Sequence, residues 1–94
     1  MKSKTVNIPI YDIDLVIKVV KELDCKAIVY IKGSNVYAEL EKKSIDIETL
    51  VHESVHIANR VLYLCNVTPD FVNDESQAYL TEYIFKELRN VFAV

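Results

Sequence analysis

The chain is poor in the residues that mark several protein classes. Its 94 residues include one glycine, two prolines, two cysteines and no tryptophan. So little glycine and proline leaves little room for linkers or disorder. The two cysteines form no Cys-x-x-Cys pair, so neither belongs to a familiar cysteine zinc pair. We expect Cys25 and Cys65 to be buried thiols in a reducing compartment, and the protein to be cytoplasmic.

Positive charge and long apolar runs are also scarce. Eleven Lys and Arg face 14 Asp and Glu, which gives a net charge of −3. Because no basic stripe is visible, we expect no nucleic-acid partner. No apolar run approaches the length of a membrane span or of a signal-peptide core, so we expect no membrane partner. The length and the 51% hydrophobic content predict one globular domain, residues 1–94.

The first 41 residues indicate a small sheet. Val6, Ile8 and Ile10 alternate with other residues over positions 5–11, which predicts a strand, and Pro9 favours an edge position because it cannot donate to a ladder. Residues 27–31 and 36–40 predict a hairpin. Its turn spans residues 32–35, where Gly33 supplies a positive φ.

Residues 12–24 fit two structures. Asp14 is a fair N-cap, and the apolar residues that follow it have helical spacing. The same segment is rich in β-branched residues, which suit a strand. We favour a helix, because Lys18, Lys21 and Glu22 would then share a solvent face.

The second half predicts two helices. Asp46 caps the first, and Glu48 in its first turn suits the helix dipole. Its predicted buried stripe comprises Ile47, Leu50, Val51, Ser54, Val55, Ala58, Val61, Leu62 and Cys65. After a break at residues 66–70, Asn73 caps a second helix that runs to about Asn90. Its core stripe is Leu80, Ile84, Leu88 and Val91, and its opposite stripe is Glu75, Tyr79, Glu82 and Lys86. The predicted fold is therefore α+β, with a small, mainly antiparallel sheet packed on two core helices.

Both histidines of the chain fall in one motif, His52-Glu53-Ser54-Val55-His56. On a helix, residues four apart lie on the same face, so His52 and His56 can close on one Zn²⁺. Glu53 is turned about 100° from His52 and can take a proton from a water bound to that metal. The motif predicts a zinc site at the margin of the core.

A catalytic zinc needs three protein ligands and an open position. No third histidine exists, so Asp or Glu must supply the remaining ligand. Glu75, in the first turn of the second helix, is the favoured candidate. Glu82 lies two turns further on the same stripe and is the competitor.

The motif, together with Glu75 in the segment Asn73-Asp74-Glu75, resembles the gluzincin metallopeptidases. Residues 50–85 also look like the small, single-domain zincin-like proteins of bacteriophage genomes. The resemblance covers roughly residues 44–90. It implies a sheet followed by an active-site helix pair, with His52, His56 and Glu75 as zinc ligands and Glu53 as general base. Gluzincins use a His or Tyr to stabilise the oxyanion, and Tyr79 is the nearest substitute here.

The expected function is zinc-dependent hydrolysis of peptide bonds, with Glu53 moving the proton. The substrate would be a peptide or protein segment extended along an exposed sheet edge, for which we choose the strand at residues 36–40. Two other functions stay open. One is a catalytically inactive, zinc-stabilised protein-binding module, and the other is a metal-free interaction protein with a vestigial motif.

Overall fold

The computed structural model describes residues 2–93, which form a four-stranded sheet covered on one face by two long helices. This architecture confirms the predicted α+β class. The elements are β1 (Lys2–Ile8), β2 (Ile13–Val20), β3 (Ala27–Lys32), β4 (Asn35–Glu41), a 3-10 helix (Lys42–Ser44), α1 (Ile47–Leu64) and α2 (Glu75–Phe92).

The strand order in the sheet is β1-β2-β4-β3. The pairs β1/β2 and β3/β4 are antiparallel, and the central pair β2/β4 is parallel. The prediction of an edge strand near the N-terminus is confirmed, although β1 ends at Ile8 and residues 9–12 form a turn that exposes Ile10. The prediction that residues 36–40 form an exposed edge is wrong. That strand is interior, and β3 holds the second free edge.

The prediction of a helix over residues 12–24 is also wrong, because residues 13–20 form the central strand β2. Ile13, Leu15 and Ile17 point into the core, and the residues between them lie on the other face. On that open face the ammonium of Lys18 lies 5.2 Å from the ring centroid of Tyr37. A helix would leave the ladders of β1 and β4 without their shared partner, so long-range pairing outweighs the local helical spacing.

The hairpin prediction is confirmed. Lys32 pairs with Asn35 across a two-residue turn, in which Gly33 has a φ of 63°. Glycine adopts this left-handed conformation without steric cost, so the turn matches the twist of the strands.

The first helix begins as predicted. The Asp46 side chain accepts a hydrogen bond of 2.8 Å from the backbone N–H of Thr49, which satisfies one of the orphan donors of the helix start. Most of the predicted stripe is buried, but Ile47, Val51 and Val55 are 48%, 46% and 41% exposed. Their burial was predicted wrongly, because the sheet covers another side of α1, and α2 leaves an open cleft beside Val51 and Val55.

The second helix begins one residue later than predicted. Asp74, not Asn73, occupies the N-cap position, and its side chain makes no capping hydrogen bond. The predicted core residues Leu80, Ile84 and Leu88 are buried, and the opposite stripe with Glu75 and Tyr79 is exposed. Neither α1 nor α2 is sufficiently long and apolar to cross a bilayer, and no other helix in residues 2–93 is.

Candidate metal centre and the adjoining groove

The two histidines lie one turn apart on the face of α1 that looks away from the buried core. Their Nε2 atoms are 3.2 Å apart, and their rings meet edge to face with centroids 4.8 Å apart. The side chain of His52 is 68% exposed, and His56 is half-buried. The local reason for the pairing is the helix itself, since residues i and i+4 stack along one face.

This separation fits a zinc ion. Two Zn–N bonds of about 2.0–2.1 Å at a tetrahedral angle place their nitrogens about 3.3 Å apart. The Nε2 atoms of His52 and His56 already lie at that spacing. The pair therefore offers two ligands without a change of backbone.

Glu53 lies beside the pair but is turned toward the protein. Its side chain is only 9% exposed, and its Oε2 lies 3.9 Å from Nε2 of His52. A nearly buried carboxylate beside one exposed and one half-buried imidazole is suited to accept a proton from a group held by the histidines, since burial limits its rotamers.

The structure does not gather the third predicted ligand with this pair. Within residues 2–93, no group of three or more His, Cys, Asp and Glu residues is arranged to hold a metal ion. The first turn of α2 does approach α1, because the Gln77 side chain donates a hydrogen bond to Oδ1 of Asn59. Glu75 and Tyr79 each lie two residues from Gln77, hence about 200° away around the helix, and both are exposed.

Glu82, the alternative ligand, is likewise apart from the histidines. It lines a different cleft, between α2 and the exposed side of α1 that carries Val51 and Val55. In this arrangement of α2 against α1, neither Glu75 nor Glu82 is gathered with the two histidines.

Two pockets lie between β3 and α1, and we call the surface that contains both of them the β3–α1 groove. One end is a pocket of about 440 Å³ lined by residues 25–27 of the chain and by His52 and Glu53. The other end is a pocket of about 840 Å³ to which Ile31, Arg60 and Tyr63 contribute. His56 follows His52 by one turn and precedes Arg60 by one turn, so the histidine pair lies between the two pockets.

The edge of β3 presents unpaired backbone groups to this groove. Glu41 N–H donates to Lys26 C=O at 2.9 Å, which makes that pair a hydrogen-bonded one. In an antiparallel ladder such pairs alternate, so Ala27, Val29 and Ile31 direct their N–H and C=O groups outward. The thiol of Cys25 donates to the C=O of Ala27 at 3.2 Å, in keeping with that direction.

Sequence reasoning missed two parts of this site. The edge was assigned to the wrong strand of the hairpin, because strand order is set by pairing between distant segments. Arg60 was not considered, although it follows His56 by four residues and so continues the same helical face. That spacing was a usable signal.

Comparison of the chain with protein-family models, with curated proteins and with solved structures finds no match.

Proposed function

We propose that the protein is a zinc-dependent metallopeptidase, with His52, His56 and Glu75 as zinc ligands and Glu53 as general base. The observation that carries the proposal is the 3.2 Å separation of the two Nε2 atoms beside a nearly buried carboxylate. A helix with two incidental surface histidines has no need of a buried acid next to them. The expected burial of Cys25 is wrong, since Cys25 is exposed, and Cys65 is half-buried. Both are free thiols, which supports a cytoplasmic location.

The β3–α1 groove supports a peptide substrate. An extended peptide can add to the free edge of β3 by hydrogen bonds to the outward groups of Ala27, Val29 and Ile31. This strand addition would hold the peptide backbone alongside His52 and Glu53. Backbone pairing orients the scissile bond without specifying side chains, and the pockets at the two ends would then select among sequences.

A bound zinc ion supplies Lewis-acid activation of water and of the substrate carbonyl. Glu53 accepts a proton from the attacking water and delivers it to the leaving amine. The strand edge holds the peptide still during both transfers. Tyr79 serves as oxyanion donor, and Glu75 as third ligand, only if the first turn of α2 turns toward the histidines, since both side chains are exposed in the present arrangement.

A second function is favoured by that same arrangement. With Glu75 apart from the histidines, the chain is suited to be a catalytically inactive, zinc-stabilised module that binds a protein segment along β3. Both functions use the same groove, and they differ in whether the bound peptide is hydrolysed.

The test compares wild type with Glu53→Gln on a broad peptide library read by mass spectrometry. The amide cannot accept the proton of water, so we expect hydrolysis to fall by about 10²–10⁴. Zinc content and thermal stability should be unchanged, since the substitution is nearly isosteric. Glu22→Gln is the matched control, because Glu22 is exposed, lines neither pocket of the groove and should keep full activity.

Cleavage that persists equally in Glu53→Gln would point to a contaminating protease and reject the enzyme. Zinc binding without cleavage by wild type, together with retained binding of a protein partner, would establish the binding module.

A further inference from the structure

The larger pocket of the β3–α1 groove contains a cation without a counter-ion. Arg60 is half-buried there, among the apolar side chains of Ile31, Leu64, Val67 and Pro69. No carboxylate contributes to the lining. Across residues 2–93, no Asp or Glu forms an ion pair with Arg60.

Asp70 is the acidic residue nearest in sequence to the pocket lining, but it makes hydrogen bonds within its own turn. Asp70 follows Pro69, but its Oδ1 accepts hydrogen bonds from the backbone N–H groups of Val72 at 2.7 Å and Asn73 at 3.2 Å. These bonds hold the pKa of Asp70 below its usual range. Asp70 thus stabilises its own turn, and the guanidinium of Arg60 keeps its donors for a ligand.

The register of an added strand points one side chain into this pocket. Ile31 both lines the pocket and presents its outward N–H and C=O to the free edge of β3. Its side chain and those of Ala27 and Val29 lie on the face of the sheet that carries the helices, since their cross-strand partners on β4 are buried. A peptide residue paired opposite Ile31 would direct its side chain to the same face, toward Arg60.

We propose that this pocket selects an acidic side chain, Asp or Glu, in an extended peptide bound along β3. The inference rests on the proposed function only for the statement that this peptide is a substrate. The guanidinium of Arg60 donates two hydrogen bonds to the carboxylate, and the apolar side chains of the pocket pack against the aliphatic part of the acidic side chain. Because Ala27 is four residues from Ile31 and His56 lies between the two pockets, the acidic residue falls about two to four positions from the bond nearest the histidines.

Binding is measured on the Glu53→Gln protein, so that a substrate would remain intact. The probes are peptides of alternating Thr and Val, labelled with fluorescein at the N-terminus and amidated at the C-terminus. One Glu scans successive positions, and a matched set carries Gln. Fluorescence anisotropy should show tighter binding of the Glu peptide by about five- to tenfold at one position of the scan. Added salt should reduce that preference, because the contact is partly exposed.

Arg60 variants assign the preference to this residue. Arg60→Gln should abolish the difference between Glu and Gln peptides, and Arg60→Glu should reverse it in favour of a peptide with Lys at that position. Lys43→Gln removes the same charge from the exposed 3-10 helix and should keep the preference. Thermal denaturation of each variant confirms that it is folded.

Three results would overturn the inference: no measurable binding of any Glu peptide, equal binding of Glu and Gln peptides to the protein with Arg60, or a preference that survives in Arg60→Gln. None of these results depends on hydrolysis. The proposal of a metallopeptidase can therefore be rejected while the acidic selectivity is retained, and the acidic selectivity can be rejected while the metallopeptidase is retained.

Discussion

Zinc should stabilise this protein through His52 and His56, and the size of the effect follows from the ratio of the free zinc concentration to its Kd. The two Nε2 atoms already lie 3.2 Å apart, close to the spacing of about 3.3 Å that tetrahedral zinc requires. Binding therefore costs little reorganisation of α1. A ligand that binds only the folded state adds about 2.7 kcal/mol at a hundredfold excess over its Kd.

For a domain of this length, about 1 kcal/mol shifts Tm by about 4–8 °C. Saturating zinc should therefore raise the Tm of wild type by about 10–20 °C at that excess. His52→Ala should lose most of this rise. Without zinc the variant should match wild type to within about 0.5 kcal/mol, since the His52 side chain is 68% exposed.

The assay is differential scanning calorimetry of untagged protein over a series of free zinc concentrations, with metal content measured in parallel. His56→Ala should behave like His52→Ala. Cys25→Ser is the control for thiolate binding, because Cys25 lines the same pocket as His52. An equal rise of Tm in wild type and in both histidine variants, or no rise in wild type, would refute the assignment of the metal to this pair.

Three further predictions concern the third ligand, acid stability and β2. Glu75→Gln should weaken zinc binding, measured by competition with a chromophoric chelator, far more than Glu82→Gln, and the reverse order would mean that α2 docks in another rotation. Glu41 accepts hydrogen bonds from Leu23 N–H at 3.0 Å and from Ser44, which hold its pKa below the ordinary 4.5. The stability that Glu41 contributes is complete above pH 4.5 and is lost as the pH falls through the lowered pKa. In Glu41→Gln, the free energy of unfolding in urea should therefore fall less steeply as the pH is lowered. An unchanged dependence on pH would contradict this. Ile17→Ala should cost about 2–5 kcal/mol in urea unfolding and Val16→Ala under about 1 kcal/mol, whereas a helical segment would give Val16 the larger loss.

Features that depend on a few neighbouring residues could be read from the sequence. The cap of α1 needs only Asp46 and the N–H of Thr49 three residues later. The hairpin turn needs a residue that tolerates positive φ, and Gly33 is the only glycine of the chain. The histidine pair follows from the pitch of a helix. In each case the interacting groups are held together by local covalent geometry, so the pattern of residue types is sufficient.

Features that depend on distant partners were decided by the tertiary structure. Residues 13–20 have a spacing that suits a helix, but β1 and β4 flank them and supply ladder bonds on both sides, which makes a strand more stable. Strand order placed the free edge on β3 rather than β4, and so put the β3–α1 groove beside the histidines. The rotation of α2 about its own axis, set by the packing of Leu80, Ile84 and Leu88, determines whether Glu75 can face them. These outcomes depend on burial and pairing between segments far apart in the chain, whose free energy no local pattern of residues contains.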